Sequence, residues 1–143
     1  MTAYLHGVWA FFTLAMIVFT IGYHIPGLFG KRHHDFGLHL RLALFTLVVT
    51  GIQIILGLIT LLASEHWKQF RQLGMGRAMK NDEIRLMVVE HPTMSLLGFL
   101  VMLYGFRRMY YQPFSRKRFL SVVIFYGLAL LLIASRIPWH RWL

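Results

Sequence analysis

The sequence has no cysteine, only five acidic residues and only four prolines in 143 positions. Without cysteine there is no disulfide, no thiolate metal site, no iron–sulfur ligation and no covalent c-type haem attachment. The five carboxylates face fifteen Lys and Arg, a formal charge of +10. Those basic residues lie outside the apolar stretches, so they describe short loops against lipid headgroups. Nucleic acid is not an expected partner, because no basic soluble domain exists to carry it. Nor does any stretch resemble a nucleophile–base arrangement or a phosphate loop, and the expectation is a protein that is not an enzyme.

What the sequence has in abundance is hydrocarbon. Hydrophobic residues make up 57% of it and the mean hydropathy is +0.59, outside the ordinary soluble range. Four apolar stretches stand out: Tyr4 to Tyr23, Leu42 to Leu62, Leu86 to Phe106 and Phe119 to Ser135. A spanning helix needs about 20 largely apolar residues, which the first three supply. The fourth is slightly short and is extended by snorkelling of Arg118 and Arg136 at its ends. The fold expected is an all-α, polytopic membrane four-helix bundle. It forms one transmembrane domain over residues 1–143, with spans at about 4–25, 38–63, 84–107 and 118–136. The first stretch lacks the basic n-region, the short h-region and the cleavage site of a signal peptide, so it is expected to stay.

Three loops join the spans. Pro26 to Gly37 is read as a turn. The longest loop, Ala63 to Arg85, carries Trp67, Phe70 and Leu73 at three-residue spacing, the mark of a short interfacial helix ended by Gly74 and Gly76. The third loop holds Arg107, Arg108, Arg116, Lys117 and Arg118 with no acidic residue among them. By the positive-inside rule, that cluster places the first and third loops in the cytoplasm and both termini outside it. Trp9, Trp67, Trp139 and Trp142 would then form the outer aromatic belt.

Helical spacing gathers the polar residues into faces. In span two, Thr46, Thr50, Gln53, Gly57, Thr60 and Ser64 follow at intervals of 4, 3, 4, 3 and 4, which keeps them on one side of a helix. Such a stripe should face protein, as a packing seam in which Gln53 finds a hydrogen-bond partner. Span one repeats the pattern with His6, Ala10, Thr13, Ile17, Thr20 and His24. Its two histidines are separated by about 27 Å along a helix and cannot share a ligand. In span three, His91, Gly98 and Gly105 recur every seven residues beside Ser95 and Met102. Topology pairs His6 with His91 at one membrane face and His24 with His39, more weakly, at the other. Each pair could supply the neutral imidazoles that a b-type haem needs in a bundle interior. The same residues also suit plain packing. His33, His34, His66 and His140 read as headgroup contacts. Glu90 costs at least about 2.5 kcal/mol in the membrane unless paired or protonated, and Arg136 at the end of span four lies at its depth. Pro92 should bend span three beside His91.

The stretches "LGMGRAMKNDEIRLMVVEHPTM" and "SRIPW" resemble a family of small four-helix bacterial membrane proteins often labelled cytochrome b. The likeness covers almost the whole chain: His6, Ile52-Gln53 with Leu56-Gly57-Leu58, Glu90-His91-Pro92 and Ile137-Pro138-Trp139. The chain departs from the family pattern after His6, where it reads "HGVWAFF", and at Gly51, where members often carry a histidine. The resemblance implies an inner-membrane, multi-pass protein near respiratory or energy-coupling machinery. Its partners would be other membrane subunits and lipid, and haem b would be a candidate cofactor. Two other functions stay open. One is a structural accessory subunit that binds lipid or quinone without haem, and the other is a small transporter or proton-conducting protein using Glu90. For the orientation, a C-terminal reporter that is active only in the cytoplasm should stay silent, and a bright reporter would reverse the assignment.

Overall fold

In hydrocarbon every backbone N–H and C=O must be satisfied within its own segment, so the apolar runs become helices. The computed structural model describes residues 1–30, 36–113 and 115–141. Helix α1 (Thr2–Leu28) and helix α2 (Phe36–Leu62) are the first two spans. The long loop folds as α3 (Glu65–Leu73), α4 (Met75–Ala78) and a single turn, α5 (Asp82–Ile84). A widened π-helical stretch, Arg85–Glu90, then leads straight into α6 (His91–Tyr111). Helix α7 (Ser115–Ser135) is the last span, and a 3-10 turn, Trp139–Arg141, follows it. Four helical segments are long and apolar enough to cross a membrane: Thr2–Leu28, Phe36–Leu62, Asp82–Tyr111 and Ser115–Ser135. The chain is a multi-pass membrane protein, and its outward faces carry Phe11, Phe19, Phe45, Ile55, Leu100 and Leu131.

Helix α1 packs on α2 and α7, and α6 packs on the same two. The spans therefore form an up-and-down ring in which α1 faces α6, and α2 faces α7, across the axis. The buried face of α1 is Ala10, Thr13, Ile17, Thr20, His24 and Gly27, the stripe expected from the spacing. The dense core consists of Ile17, Ala43, Leu47, Met102, Met109, Val122, Tyr126 and Ala129. It fills the half of the bundle nearer the α1–α2 and α6–α7 connections, called here the hairpin end. The other half, where both termini and the long loop lie, is the terminal end.

Several details differ from the expectations. Helix α1 continues through Pro26 to Leu28, with the Phe29 N–H donating to the Pro26 carbonyl at 3.2 Å. A proline in the last turn removes only one ladder donor, which a closing turn tolerates. Gly74 does end α3, at φ 75, a conformation that favours glycine. Gly76, however, lies inside α4. The Trp9 indole N–H donates to the Val49 carbonyl at 3.1 Å, tying α1 to α2 within the bundle. Trp142, His33 and His34 lie outside the described residues.

Two glycines set how closely α6 and α7 approach. A Cβ at Gly98 would stand 2.7 Å from Ile133 Cγ1 and 3.1 Å from the Ala129 carbonyl oxygen, and one at Gly105 would collide with Phe125. Gly98→Val should therefore spread the pair and cost about 1–3 kcal/mol. Thermal unfolding in detergent would show this as a lowered midpoint, and an unchanged midpoint would mean the contact can be relieved.

Candidate functional site

The polar face of α2 does two different jobs. Toward the hairpin end it packs as a seam: Thr20 and Thr46 hydroxyls meet at 2.6 Å, and Thr50 donates back to the Thr46 carbonyl at 2.8 Å. Tyr126 reaches across the axis from α7 to donate to the Ala43 carbonyl at 2.7 Å. Toward the terminal end the same stripe stops packing and becomes a wall. Thr50, Gln53, Gly57, Thr60 and Ser64 all border a cavity of about 380 Å³, within the usual size of small-molecule and cofactor sites. Its other walls come from α1, α6 and the end of α7.

His6 and His91 both line this cavity. They come from helices that face each other across the bundle, and their ring centroids are 6.4 Å apart with planes at 74°. His91 Nδ1 lies 3.0 Å from the Arg136 carbonyl. A carbonyl can only accept, so Nδ1 carries the proton, and in the neutral ring Nε2 keeps its lone pair. His6 is held from the other side. Gln53 Nε2 donates to the His6 carbonyl at 3.3 Å, which is the partner expected for Gln53. The ring itself lies over Gly57, where a Cβ would be 3.1 Å from His6 Cε1. Three residues at this cavity also carry a buried polar atom with no hydrogen-bond partner: His6 Nδ1, Gln53 Oε1 and Thr60 Oγ1.

Glu90 precedes His91 in the chain but does not line the cavity. Its carboxylate is spread between two cations, with Oε1 at 2.9 Å from Arg85 Nε and Oε2 at 3.3 Å from Arg136 Nη1. The Arg136 contact matches the depth argument. The Arg85 contact could not be found from α-helical spacing, because residues five apart point about 140° away from each other on an α-helix. The widened turn removes that offset. In it the His91 N–H donates to the Leu86 carbonyl, five residues back, so positions five apart stack. Pro92 gives the turn its reason. It has no N–H, and its ring would clash with the carbonyl four residues earlier in a regular helix.

The second histidine pair is also brought together, but its geometry does not suit a shared iron. His24 and His39 rings are 4.7 Å apart, whereas two imidazoles on opposite sides of one iron, as a haem requires, with bonds of about 2 Å, stand about 6 Å apart between centroids. Phe119 packs at 4.6 Å from His39 and Tyr23 at 4.9 Å, while His24 Nδ1 donates to the Thr20 carbonyl at 2.7 Å. This end is a filled aromatic cluster. The 6.4 Å of the first pair does match the bridged spacing.

At the terminal end of the cavity the long loop and the C-terminal turn are joined by polar contacts. Arg141, a lining residue, bonds Glu83 and lies 3.2 Å from His66, which is itself 3.2 Å from Glu83. His66 is therefore part of this clasp, while His140 is exposed.

Because Gly57 leaves the room that the His6 ring occupies, Gly57→Ala should push that ring while leaving the hairpin end alone. Nitrogen-15 NMR of the histidine side chains would report it as a shift of His6 with His24 and His39 unmoved. A spectrum identical to wild type would show that the ring has slack. No protein-family model, no curated protein and no solved structure matches this chain, so its chemistry is read from the residues around this cavity.

Proposed function

We propose that this chain is a non-catalytic, four-helix subunit of a larger assembly in the bacterial inner membrane, cytochrome-b-like, holding a b-type haem between His6 and His91. One observation carries the reading: two imidazoles from opposite helices stand 6.4 Å apart on the walls of one cavity, and one of them has its second nitrogen pinned to a carbonyl. Metal-ligating histidines are typically oriented in that way, by a hydrogen bond from the other ring nitrogen. The remaining lining surface is largely apolar, with Ala10, Leu14, Ile54, Leu58 and Ile133 among it, which suits a flat apolar macrocycle. When bound, haem b supplies one-electron transfer within the membrane. The chain's own part is to hold both imidazoles in place and to leave space through Gly57. A single electron carrier needs a donor and an acceptor, hence the larger assembly. The cytoplasmic placement of the two hairpin connections, with both termini outside, follows from the basic cluster at Arg107–Arg118.

A second reading is favoured by the buried Gln53 Oε1 and Thr60 Oγ1, to which a ligand bearing hydroxyl groups, such as a quinol head, would donate. A proton-conducting role for Glu90 has less behind it, because both of its oxygens are engaged by arginines.

A visible spectrum of the purified protein separates these. The haem reading expects a Soret band, alpha bands on reduction, and the loss of both in His91→Ala and His6→Ala. A flat spectrum from protein produced with ample haem would remove it and leave the quinol reading, which expects a thermal-stability gain on adding a soluble quinol.

A further inference from the structure

Four charges converge at the start of α6. Asp82 Oδ1 lies 2.8 Å from Arg85 Nη2, Arg85 Nε 2.9 Å from Glu90 Oε1, and Glu90 Oε2 3.3 Å from Arg136 Nη1. Arg85 is anchored further by donating to the Met79 carbonyl at 2.9 Å. Two acids and two bases balance to zero. The Glu90 side chain is 26% exposed, so its charge is only partly screened by solvent. The far end of this chain of contacts is not a charge but a backbone group: the Arg136 carbonyl, which accepts a hydrogen bond from His91 Nδ1–H. Arg136 therefore holds Glu90 with its side chain and His91 with its main chain. The widened turn that Pro92 requires is what puts Arg85 and Glu90 within reach of each other.

From this geometry we infer that Glu90 is a positioning and tuning residue for His91: acting through Arg136, it holds the ring with Nε2 toward the cavity, and its charge sets the redox poise of whatever His91 ligates. The inference rests on the haem reading above. An unpaired carboxylate at this depth would be expelled or protonated, but docking of α6 alone would need no histidine at the next position and no carbonyl turned toward it. The sign of the electrostatic effect is set by the balance of the cluster. Removing Glu90 leaves one uncompensated positive charge beside the ligand, which favours the reduced iron. Removing the Arg136 charge leaves one negative charge, which favours the oxidised iron.

The test is potentiometric titration of the haem-loaded protein, followed at the alpha band. Glu90→Gln should shift the midpoint upward, Arg136→Gln should shift it downward, and Arg136→Lys should stay near wild type. Opposite shifts are not what a purely structural latch produces, since loosened packing would move both variants the same way. If Glu90→Gln does not accumulate, the contrast between Arg136→Gln and Arg136→Lys carries the same test. Equal midpoints in all variants, or shifts of the same sign, would overturn the inference while leaving haem binding intact. A wild-type protein that takes up no haem would overturn the haem reading and this inference together.

Discussion

Hydrocarbon offers no hydrogen bonds, so each polar side chain in these spans must find its partner inside the protein or lie where something else supplies one. Most of the bundle's internal order follows from that constraint. Thr20 meets Thr46, Tyr126 reaches the Ala43 carbonyl, Trp9 reaches the Val49 carbonyl and Gln53 reaches the His6 carbonyl. Each such bond ties one helix to another and fixes rotation as well as distance, which dispersion between apolar side chains does less sharply. At the terminal end the pairing is incomplete, and the unmatched atoms gather around one cavity.

The two ends of the bundle show how side-chain volume turns similar residues to different uses. Both hold a pair of histidines from different helices. At the hairpin end, Phe119 and Tyr23 pack against the imidazoles and Tyr126 fills the axis, so close packing leaves no room between the rings. At the terminal end, Gly7, Gly57 and Ser95 stand on the walls, and small residues leave space unfilled. The same residue type therefore makes an aromatic core at one end and the rim of a cavity at the other.

Pro92 links backbone geometry to electrostatics. A proline this early in α6 cannot continue a regular ladder from the preceding turn, and the chain widens by one residue to pass it. That widening aligns Arg85 with Glu90, and the paired Glu90 in turn engages Arg136. A steric requirement of one ring thus places a balanced charge cluster at the edge of the membrane-spanning region. It also places the His91 ring against the backbone just past the last span.

How much of this was legible in the sequence depends on the range of the interaction concerned. The four spans, their up-and-down order, and the stripe from Ala10 to His24 follow from hydropathy and the 3.6-residue period, both properties of single helices. The pairing of His6 with His91 could be read as well, because the first and third spans run in the same direction and both histidines lie near their starts. That of His24 with His39 could be too, because one short connection joins the end of the first span to the start of the second. Arg85 as a partner of Glu90 could not, since only the widened turn overrides the angular offset of five residues. Nor could the change of the α2 stripe from seam to cavity wall halfway along, or the filling of one histidine pair by Phe119. The sequence by itself determined which faces are polar and at what depth each histidine lies, because helix geometry is local. Only the tertiary structure decided which pair borders a cavity, because that depends on the summed volumes that four separate helices bring to one place.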